Sequence, residues 1–192
     1  AAGAITNSDI DKAEEAIKNS KIFLTQLEAP KDTVMYAIKK AKELGVDTIL
    51  NPAPAADIDK SIFPFSDYFT PTETEASFYV NHPVETHEDA SKAASTLLEM
   101  GIKNVIITLG EKGAYFANAN ETFSSPIANL SNPVVDTTGA GDAFNAGFAA
   151  ALTENQGIKE AIAFASATAG LSTTKIGTCL LYTSDAADEV VS

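Results

Sequence analysis

The sequence of 192 residues has few of the residues that mark several common classes of protein. It contains one cysteine, Cys179, and no tryptophan. A lone cysteine excludes an internal disulfide and fits a reducing cytoplasm, where we expect the protein to be located. Basic residues number 13 against 26 acidic ones, and the formal net charge of −13 argues against a non-specific nucleic-acid surface. No apolar run approaches the roughly 18 residues of a membrane span, so neither nucleic acid nor a membrane is an expected partner.

Apolar segments with strand and helix character alternate along the chain. Hydrophobic residues make up 45% of it, enough for one domain with a substantial core. The predicted strands are 22–27, 46–50, 67–70 and 105–108, with a hairpin over 114–117 and 121–123 and two last helices over about 140–153 and 158–173. Strands that are apolar throughout are typical of a parallel sheet covered on both faces. The pattern predicts a three-layer α/β/α, Rossmann-like sandwich with a mainly parallel sheet.

Every chemically suggestive segment of the sequence is expected to lie just after a strand. In open α/β sheets, ligands bind at the carboxyl ends of the strands. The segments that we expect there are Glu28, Asn51, Thr72 to Glu75, Thr108 to Gly113 and Asp136 to Asp142. Their convergence on one edge of the sheet is stronger support for a site than any one of them alone.

The segment from Asp136 to Asp142 reads Asp-Thr-Thr-Gly-Ala-Gly-Asp and runs directly into a predicted helix. Free N–H groups and the positive end of the macrodipole make a helix start a binding site for anions. A carboxylate beside such a site can take a proton from an attacking hydroxyl, as phosphoryl transfer requires. The structural alternative is a capped helix that follows a glycine turn. The two flanking aspartates and the small residues of the helix favour the functional interpretation.

With this segment, the chain resembles the PfkB (ribokinase) family of sugar kinases. The similarity extends from about Ala2 to Thr178 and includes Gln26-Leu27-Glu28 and the run Asn-Pro-Ala-Pro-Ala that begins at Asn51. The resemblance implies ATP-dependent phosphorylation of D-ribose to ribose 5-phosphate. It assigns Asp142 as the base that deprotonates the sugar hydroxyl. The anion hole for the phosphoryl group would be formed by the backbone of Gly139, Ala140 and Gly141.

The same resemblance assigns the binding residues. Glu28 would bind ribose hydroxyls together with Asp142, although a carboxylate after a strand also suits an ordinary solvated loop. The nucleotide-binding positions that it implies are Thr72, Thr108, Leu109, Gly110, Glu111, Lys112, Gly113, Gly141 and Ser166. The family has Asn-x-x-Glu where this chain has Thr72 to Glu75, so we expect weakened positioning of nucleotide or Mg²⁺.

Two metal ions are implied by the family. Glu75 would act on Mg²⁺ indirectly. A monovalent cation, usually K⁺, would lie beside the anion hole, held mostly by backbone carbonyls. The positions expected around it are Asp136, Thr138, Ser172, Lys175 and Gly177. Carbonyl and carboxylate oxygens suit a hard cation, whereas the residues alone would suggest a basic helix end with a glycine cap at Lys175 to Gly177.

The family pattern also predicts what this chain lacks. Residues 1–178 are expected to be a ribokinase-like domain without the N-terminal region and the β-sheet lid, through which the parent enzyme would form a homodimer. Residues 179–192 do not resemble the family and are expected to be a non-native tail of the kind that adapter read-through produces.

Three alternatives remain open at the level of the sequence. The first is a PfkB-family kinase of another substrate, such as fructose, a deoxy-keto acid or a nucleoside. The second is a nucleotide-binding fragment without turnover, and the third is a non-catalytic binding domain, against which Asp142 argues. His82 and His87 are interpreted as surface residues near the start of a helix.

Overall fold

The computed structural model describes residues 2–129 and 133–177. A short 3₁₀ turn at Ala2–Ala4 precedes the first helix, and two more lie at Lys60–Phe65 and Gly110–Lys112. The helices are α1 Asn7–Lys12, α2 Glu14–Lys18, α3 Lys31–Glu43, α4 Glu73–Val80, α5 His87–Glu99, α6 Ala140–Thr153 and α7 Ile158–Ser172. The strands are β1 Ile22–Thr25, β2 Asp47–Leu50, β3 Tyr68–Phe69, β4 Asn104–Thr108, β5 Ala114–Asn118 and β6 Thr122–Ser125.

The strands form one sheet in the order β1-β2-β3-β4-β5-β6. The first four pair in parallel, with Leu24 opposite Ile49. The last two pair antiparallel, with Ile106 opposite Phe116. The mainly parallel sheet and the hairpin after it are both as the sequence predicts.

Helices cover both faces of the sheet, and the side chains of β4 accordingly alternate between two cores. Val105 and Ile107 belong to a core that also includes side chains of α3, α4 and α5. Ile106 lies in the other core, with Phe148 of α6 and Ile162 of α7. All three β4 side chains are completely buried. The three-layer α/β/α prediction is confirmed in the part of the chain that the structure describes.

Two details differ from the pattern in the sequence. The first strand ends at Thr25 instead of 27, because the N–H of Leu27 leaves the ladder and donates to the carbonyl of Ala53 at 2.8 Å. Among the described residues, no strand lies between Ser125 and Gly139, since residues 126–129 and 133–137 are irregular. The N–H groups of Val135 and Asp136 instead donate to the carbonyl of Thr173, at 2.8 and 3.1 Å. This segment is therefore positioned by the end of α7.

Among the described residues, no helix combines the length and apolarity that a bilayer crossing requires.

Candidate active site

The loop before α6 ends in a glycine with a left-handed backbone. Gly139 is the N-cap of the helix, with φ 77° and ψ 4°, a conformation that favours glycine. The N–H of Ala140 donates back to the carbonyl of Thr137 at 3.1 Å. The N–H groups of Gly141 and Asp142 have no acceptor among the described residues. These two amides lie at the positive end of a helix of 14 residues, which suits an anion.

Asp142 lies in the first turn of α6 and is exposed. Its Oδ1 accepts a hydrogen bond from Nε2 of Gln26 at 2.7 Å. Its Oδ2 has no donor among the described residues, so one carboxylate oxygen remains available to a hydroxyl. Glu28 follows Gln26 by two residues at the same end of β1, and its side chain is exposed. The structure thus brings the predicted base and the predicted sugar-binding segment to the same edge of the sheet.

Four polar residues around this edge were not given a role from the sequence: Gln26, Asn51, Thr70 and Asn145. Asn51 and Thr70 are buried at the ends of β2 and β3, and Asn145 is buried one turn into α6. Asn51 accepts from Gln26 at 2.9 Å and donates to the carbonyl of Thr70 at 2.8 Å. The usable signal in the sequence was a polar residue directly after each apolar strand.

The predicted nucleotide turn begins where β4 ends. The N–H of Thr108 donates to the carbonyl of Pro71 at 3.0 Å, and Thr72 and Thr108 form a parallel bridge. The structure therefore places these two predicted nucleotide residues side by side. Leu109 has a buried side chain, and its N–H donates to the carbonyl of Gly113 at 2.8 Å. Leu109 consequently holds the turn together through its backbone while its side chain packs in the core.

Residues outside the predicted nucleotide turn hold its second half in place. Gly113 has φ 88°, and a Cβ there would overlap the carbonyl oxygen of Ser125, so the turn requires glycine. Nζ of Lys112 donates to the carbonyl of Glu85 at 2.7 Å. His87 contacts the carbonyl of Lys112 at 3.1 Å and the hydroxyl of Ser124 at 3.0 Å. His87 therefore braces the turn, a contact that its position in the sequence did not indicate, while Gly110 and Glu111 remain exposed.

Thr72 and Glu75 form a capping box at the start of α4. The N–H of Thr72 donates to Oε2 of Glu75 at 2.8 Å, and the N–H of Glu75 donates to the hydroxyl of Thr72 at 3.3 Å. Glu75 is buried, and its Oε1 has no donor in the described part of the chain. That oxygen fits an indirect contact to Mg²⁺, which prefers oxygen ligands and keeps several waters.

The two halves of the predicted cation site meet at Asp136. Its Oδ1 accepts from the N–H of Thr138 at 2.9 Å, and its Oδ2 accepts from the N–H of Gly177 at 3.0 Å. Hydrogen bonds from Thr138 and from the backbone of Gly177 hold the pKa of Asp136 below its ordinary value. Within residues 2–129 and 133–177, no donor bonds the backbone carbonyls of Thr138, Ser172 or Lys175. This set of oxygens fits a hard monovalent cation.

For other predicted positions, the structure gives no contact that bears on the predicted role within the described residues. Ser166 is half-buried in the middle of α7, and no hydrogen bond links it to the turn at Gly110–Lys112 in the described part of the chain. The predicted tail, with Cys179, lies outside the described residues. No group of three or more His, Cys, Asp or Glu side chains among the described residues could hold a metal ion, so any cation here depends on backbone oxygens and single carboxylates.

A model of the pfkB family carbohydrate kinases matches residues 1–185 of this sequence. The chain belongs to the PfkB family of carbohydrate kinases. The deoxyribokinase of Salmonella typhi is 36% identical over 181 residues, which are 94% of this chain and 58% of that protein. The ribokinase of Haemophilus influenzae is 40% identical over 168 residues, 88% of this chain and 54% of that protein.

A solved structure shows the same fold. Arabidopsis thaliana ribokinase, complexed with ribose and ATP, superposes with a TM-score of 0.82 at 34% identity, over 87% of this chain and 54% of that one. This PfkB chain thus spans just over half the length of these relatives. The ribokinase-like fold and the family membership that the sequence predicts are confirmed, whereas the roles of the individual site residues remain predictions.

Proposed function

We propose that this PfkB-family protein transfers the γ-phosphoryl group of ATP to O5 of D-ribose and forms ribose 5-phosphate. The observation that carries the proposal is the first turn of α6. There, the amides of Gly141 and Asp142 lie beside a carboxylate, and neither these amides nor Oδ2 of that carboxylate has a hydrogen-bond partner within residues 2–129 and 133–177. The relatives add support, since one is a ribokinase and another was solved with ribose and ATP.

The chemistry of this turn is proton removal and charge stabilisation. Oδ2 of Asp142 accepts the proton of the sugar hydroxyl as its oxygen forms a bond to the γ-phosphorus. The bond from that phosphorus to the bridging oxygen of ADP breaks, and ADP leaves. The backbone amides of Gly141 and Asp142 stabilise the charge on the phosphoryl oxygens, which is the main demand of a loose transition state, whereas the predicted amide of Ala140 is already bonded to Thr137. A positioned base typically contributes about 10²–10⁴-fold.

The remaining predicted residues bind the donor and the ions. ATP is expected along the turn from Thr108 to Gly113 and beside Thr72. When bound, Mg²⁺ neutralises charge on the phosphates, and Glu75 would hold it indirectly. A monovalent cation such as K⁺ would be held by Asp136 and the carbonyl groups around it. A cytoplasmic location and a homodimer of the parent enzyme belong to the same proposal.

A second substrate has specific support. The Salmonella typhi relative is a deoxyribokinase and matches a larger share of this chain than the ribokinase does. Glu28 favours ribose, because a carboxylate can accept bonds from two hydroxyls. The two sugars differ by a single hydroxyl, and a site built to bond that hydroxyl discriminates strongly against the sugar that lacks it.

The deciding experiment measures ATP-dependent phosphorylation of ribose, 2-deoxyribose, fructose, a deoxy-keto acid and a nucleoside. Each assay is run with and without Mg²⁺ and with K⁺ or Na⁺, on the chain and on a full-length version of the gene. Ribose is expected to give the highest kcat/KM, and Asp142→Asn serves as the inactive control. A preference for another substrate would overturn only the ribose assignment, while no turnover of any substrate by either protein would overturn the kinase proposal.

Calorimetric titration separates the alternatives for the chain itself. Binding of ATP with Mg²⁺ but no turnover identifies a nucleotide-binding fragment. Failure to bind ATP, with the fold intact by circular dichroism, contradicts the nucleotide site proposed at Thr108 to Gly113.

A further inference from the structure

We propose that Gln26 is the positioning residue for Asp142, held in its working orientation by a chain of neutral side chains that starts at Thr70. The inference rests on the proposed function, since it concerns the base of that reaction. It deepens that function by naming a residue that has no expected contact with sugar or nucleotide. The polar groups involved come from the ends of three strands and from α6.

The direction of each hydrogen bond between Thr70 and Asp142 follows from one backbone carbonyl. The carbonyl of Thr70 can only accept, so the group of Asn51 that faces it at 2.8 Å must be its amide NH₂. The oxygen of Asn51 then faces Gln26 at 2.9 Å and requires a donor. Gln26 therefore presents its NH₂, and the second proton of that group points to Oδ1 of Asp142 at 2.7 Å.

A second series of hydrogen bonds also starts at Thr70 and leads to the first turn of α6. Nδ2 of Asn145 donates to the carbonyl of Gly141 at 2.9 Å, which leaves the Asn145 oxygen facing Thr70. The hydroxyl of Thr70 must then donate to that oxygen, at 2.7 Å. Thr70 is only 2% exposed and Asn145 only 3%, so the bond between them is shielded from water. The start of α6 is consequently fixed at the Gly141 backbone and at the Asp142 side chain.

This arrangement assigns different tasks to the two oxygens of one carboxylate. Oδ1 is occupied by Gln26, and the carboxylate plane is fixed, so Oδ2 is the oxygen left for the sugar hydroxyl. All the members of the chain between Thr70 and Asp142 are uncharged, so the base is oriented without an ion pair that would compete for its charge. Correct positioning before the substrate arrives lowers the barrier, and small displacements of a catalytic group can cost about 100-fold.

The kinetic test compares Gln26→Leu, which removes the donor, with Gln26→Glu, which keeps the shape. We expect Gln26→Leu to lower kcat about 10- to 100-fold with little change in KM for ATP, the pattern of a lost interaction in the transition state. In Gln26→Glu, two carboxyl groups face each other and can share one proton at acid pH. Its kcat relative to wild type should therefore rise as the pH falls, while the ratio for Gln26→Leu stays flat.

The control is Gln156→Leu, the same substitution at a glutamine whose side chain bonds only Glu154, at 3.3 Å, among the described residues. Its kcat should equal that of the wild type. A Gln26→Leu variant with wild-type kcat, or a flat pH ratio for Gln26→Glu, would overturn the positioning role.

A second readout is independent of turnover. In ¹⁵N-labelled protein, the side-chain amide protons of Gln26 should form a pair of well-separated resonances that shift in Asp142→Ala and in Asn51→Leu, while those of Gln156 stay in place. Unchanged Gln26 resonances in Asp142→Ala would overturn the contact. If no sugar is phosphorylated by the wild type, the proposed function fails, yet these resonances still decide whether Gln26 holds Asp142.

Discussion

Two aspartates at opposite edges of the same sheet have opposite surroundings. Asp67 lies at the amino ends of the strands and is 7% exposed. It accepts from Lys42 at 2.6 Å, from Lys103 at 2.8 Å and from the N–H of Thr48 at 3.0 Å. Asp142 lies at the carboxyl ends, is exposed, and has one partner in the part of the chain that the structure describes, the neutral side chain of Gln26 at 2.7 Å. One carboxylate is satisfied from all sides, and the other keeps a free oxygen.

The difference separates a group that stabilises the fold from a group for which we propose a part in the reaction. Burial by itself would raise the pKa of Asp67, but hydrogen bonds from Lys103, Lys42 and Thr48 outweigh it and hold that pKa below its ordinary value. A carboxylate with two cations against it is a poor proton acceptor at neutral pH. The contacts of Asp67 at the amino ends of the strands therefore hold β2, β3 and β4 together. At the carboxyl ends, the partner of Asp142 is neutral, and the carboxylate remains available to accept a proton.

The largest expected effect is that of Asp142→Asn. Removing the proposed base should lower kcat about 10²–10⁴-fold, with little change in ATP affinity, because the side chain acts on the sugar hydroxyl. The side chain is exposed, so thermal unfolding should be nearly unaffected. Steady-state kinetics, nucleotide titration and calorimetric melting together test this. Equal losses of kcat and of ATP affinity would contradict the assignment of Asp142 as base and indicate a nucleotide-binding role.

Asp67→Asn should reverse that pattern, with a loss of stability and no direct effect on chemistry. Hydrogen bonds to a charged group contribute about 1.5–3 kcal/mol, so the free energy of unfolding should fall by about 2–3 kcal/mol. The matched control is Asp47→Asn. Asp47 contacts Lys42 at 3.7 Å with a side chain that is 61% exposed, and its loss should cost less than about 1 kcal/mol.

The pH dependence gives the sign of the Asp67 contribution. Its pKa in the folded state lies below the unfolded value of about 3.9, so the contribution is complete about one pH unit above that value. It is lost as the pH falls through the folded pKa. Urea unfolding at pH 7 and pH 3 should therefore show a larger decrease for wild type than for Asp67→Asn. An equal decrease in both would show that Asp67 is not held ionised by its partners.

Much of the fold was predictable because it depends on local patterns. The β-branched run at β4 is buried on both faces, and the small-residue helices α6 and α7 start and end within a residue or two of their predicted bounds. The segment at Asp136 was misread as following a strand. Its backbone donors bond to Thr173, which is 37 or 38 positions away in the chain, and no local pattern records such a partner.

The candidate site was predictable only where the type of a residue and its sequence pattern indicate a chemical role. The glycines and aspartates of the loop before α6 do so, and the structure brings Asp136 to the carbonyl-rich segment that ends at Gly177. Gln26 and Thr70 do not, because their tasks depend on partners 116 and 75 residues away. Amides and hydroxyls after strands are common in loops, and only three-dimensional contacts show that these particular ones form a chain.

The smallest expected effect concerns two capping boxes of the same type. Thr72 caps α4 and Thr86 caps α5, each with an acidic residue at the third helical position. Asparagine is as good a cap as threonine, so Thr72→Asn and Thr86→Asn should each change the free energy of unfolding by less than about 0.5 kcal/mol. Only Thr72 forms a bridge with the predicted nucleotide turn at Thr108.

The two substitutions should therefore differ in binding and not in stability. Thr72→Asn supplies a second polar group and is expected to lower the KM for ATP and the Mg²⁺ concentration at half-maximal activity by about two- to fivefold, the size of one weak hydrogen bond. Thr86→Asn should leave both unchanged. Identical Mg²⁺ and ATP dependence in the two variants would mean that Thr72, like Thr86, only caps its helix, and that the threonine at this position costs the site nothing.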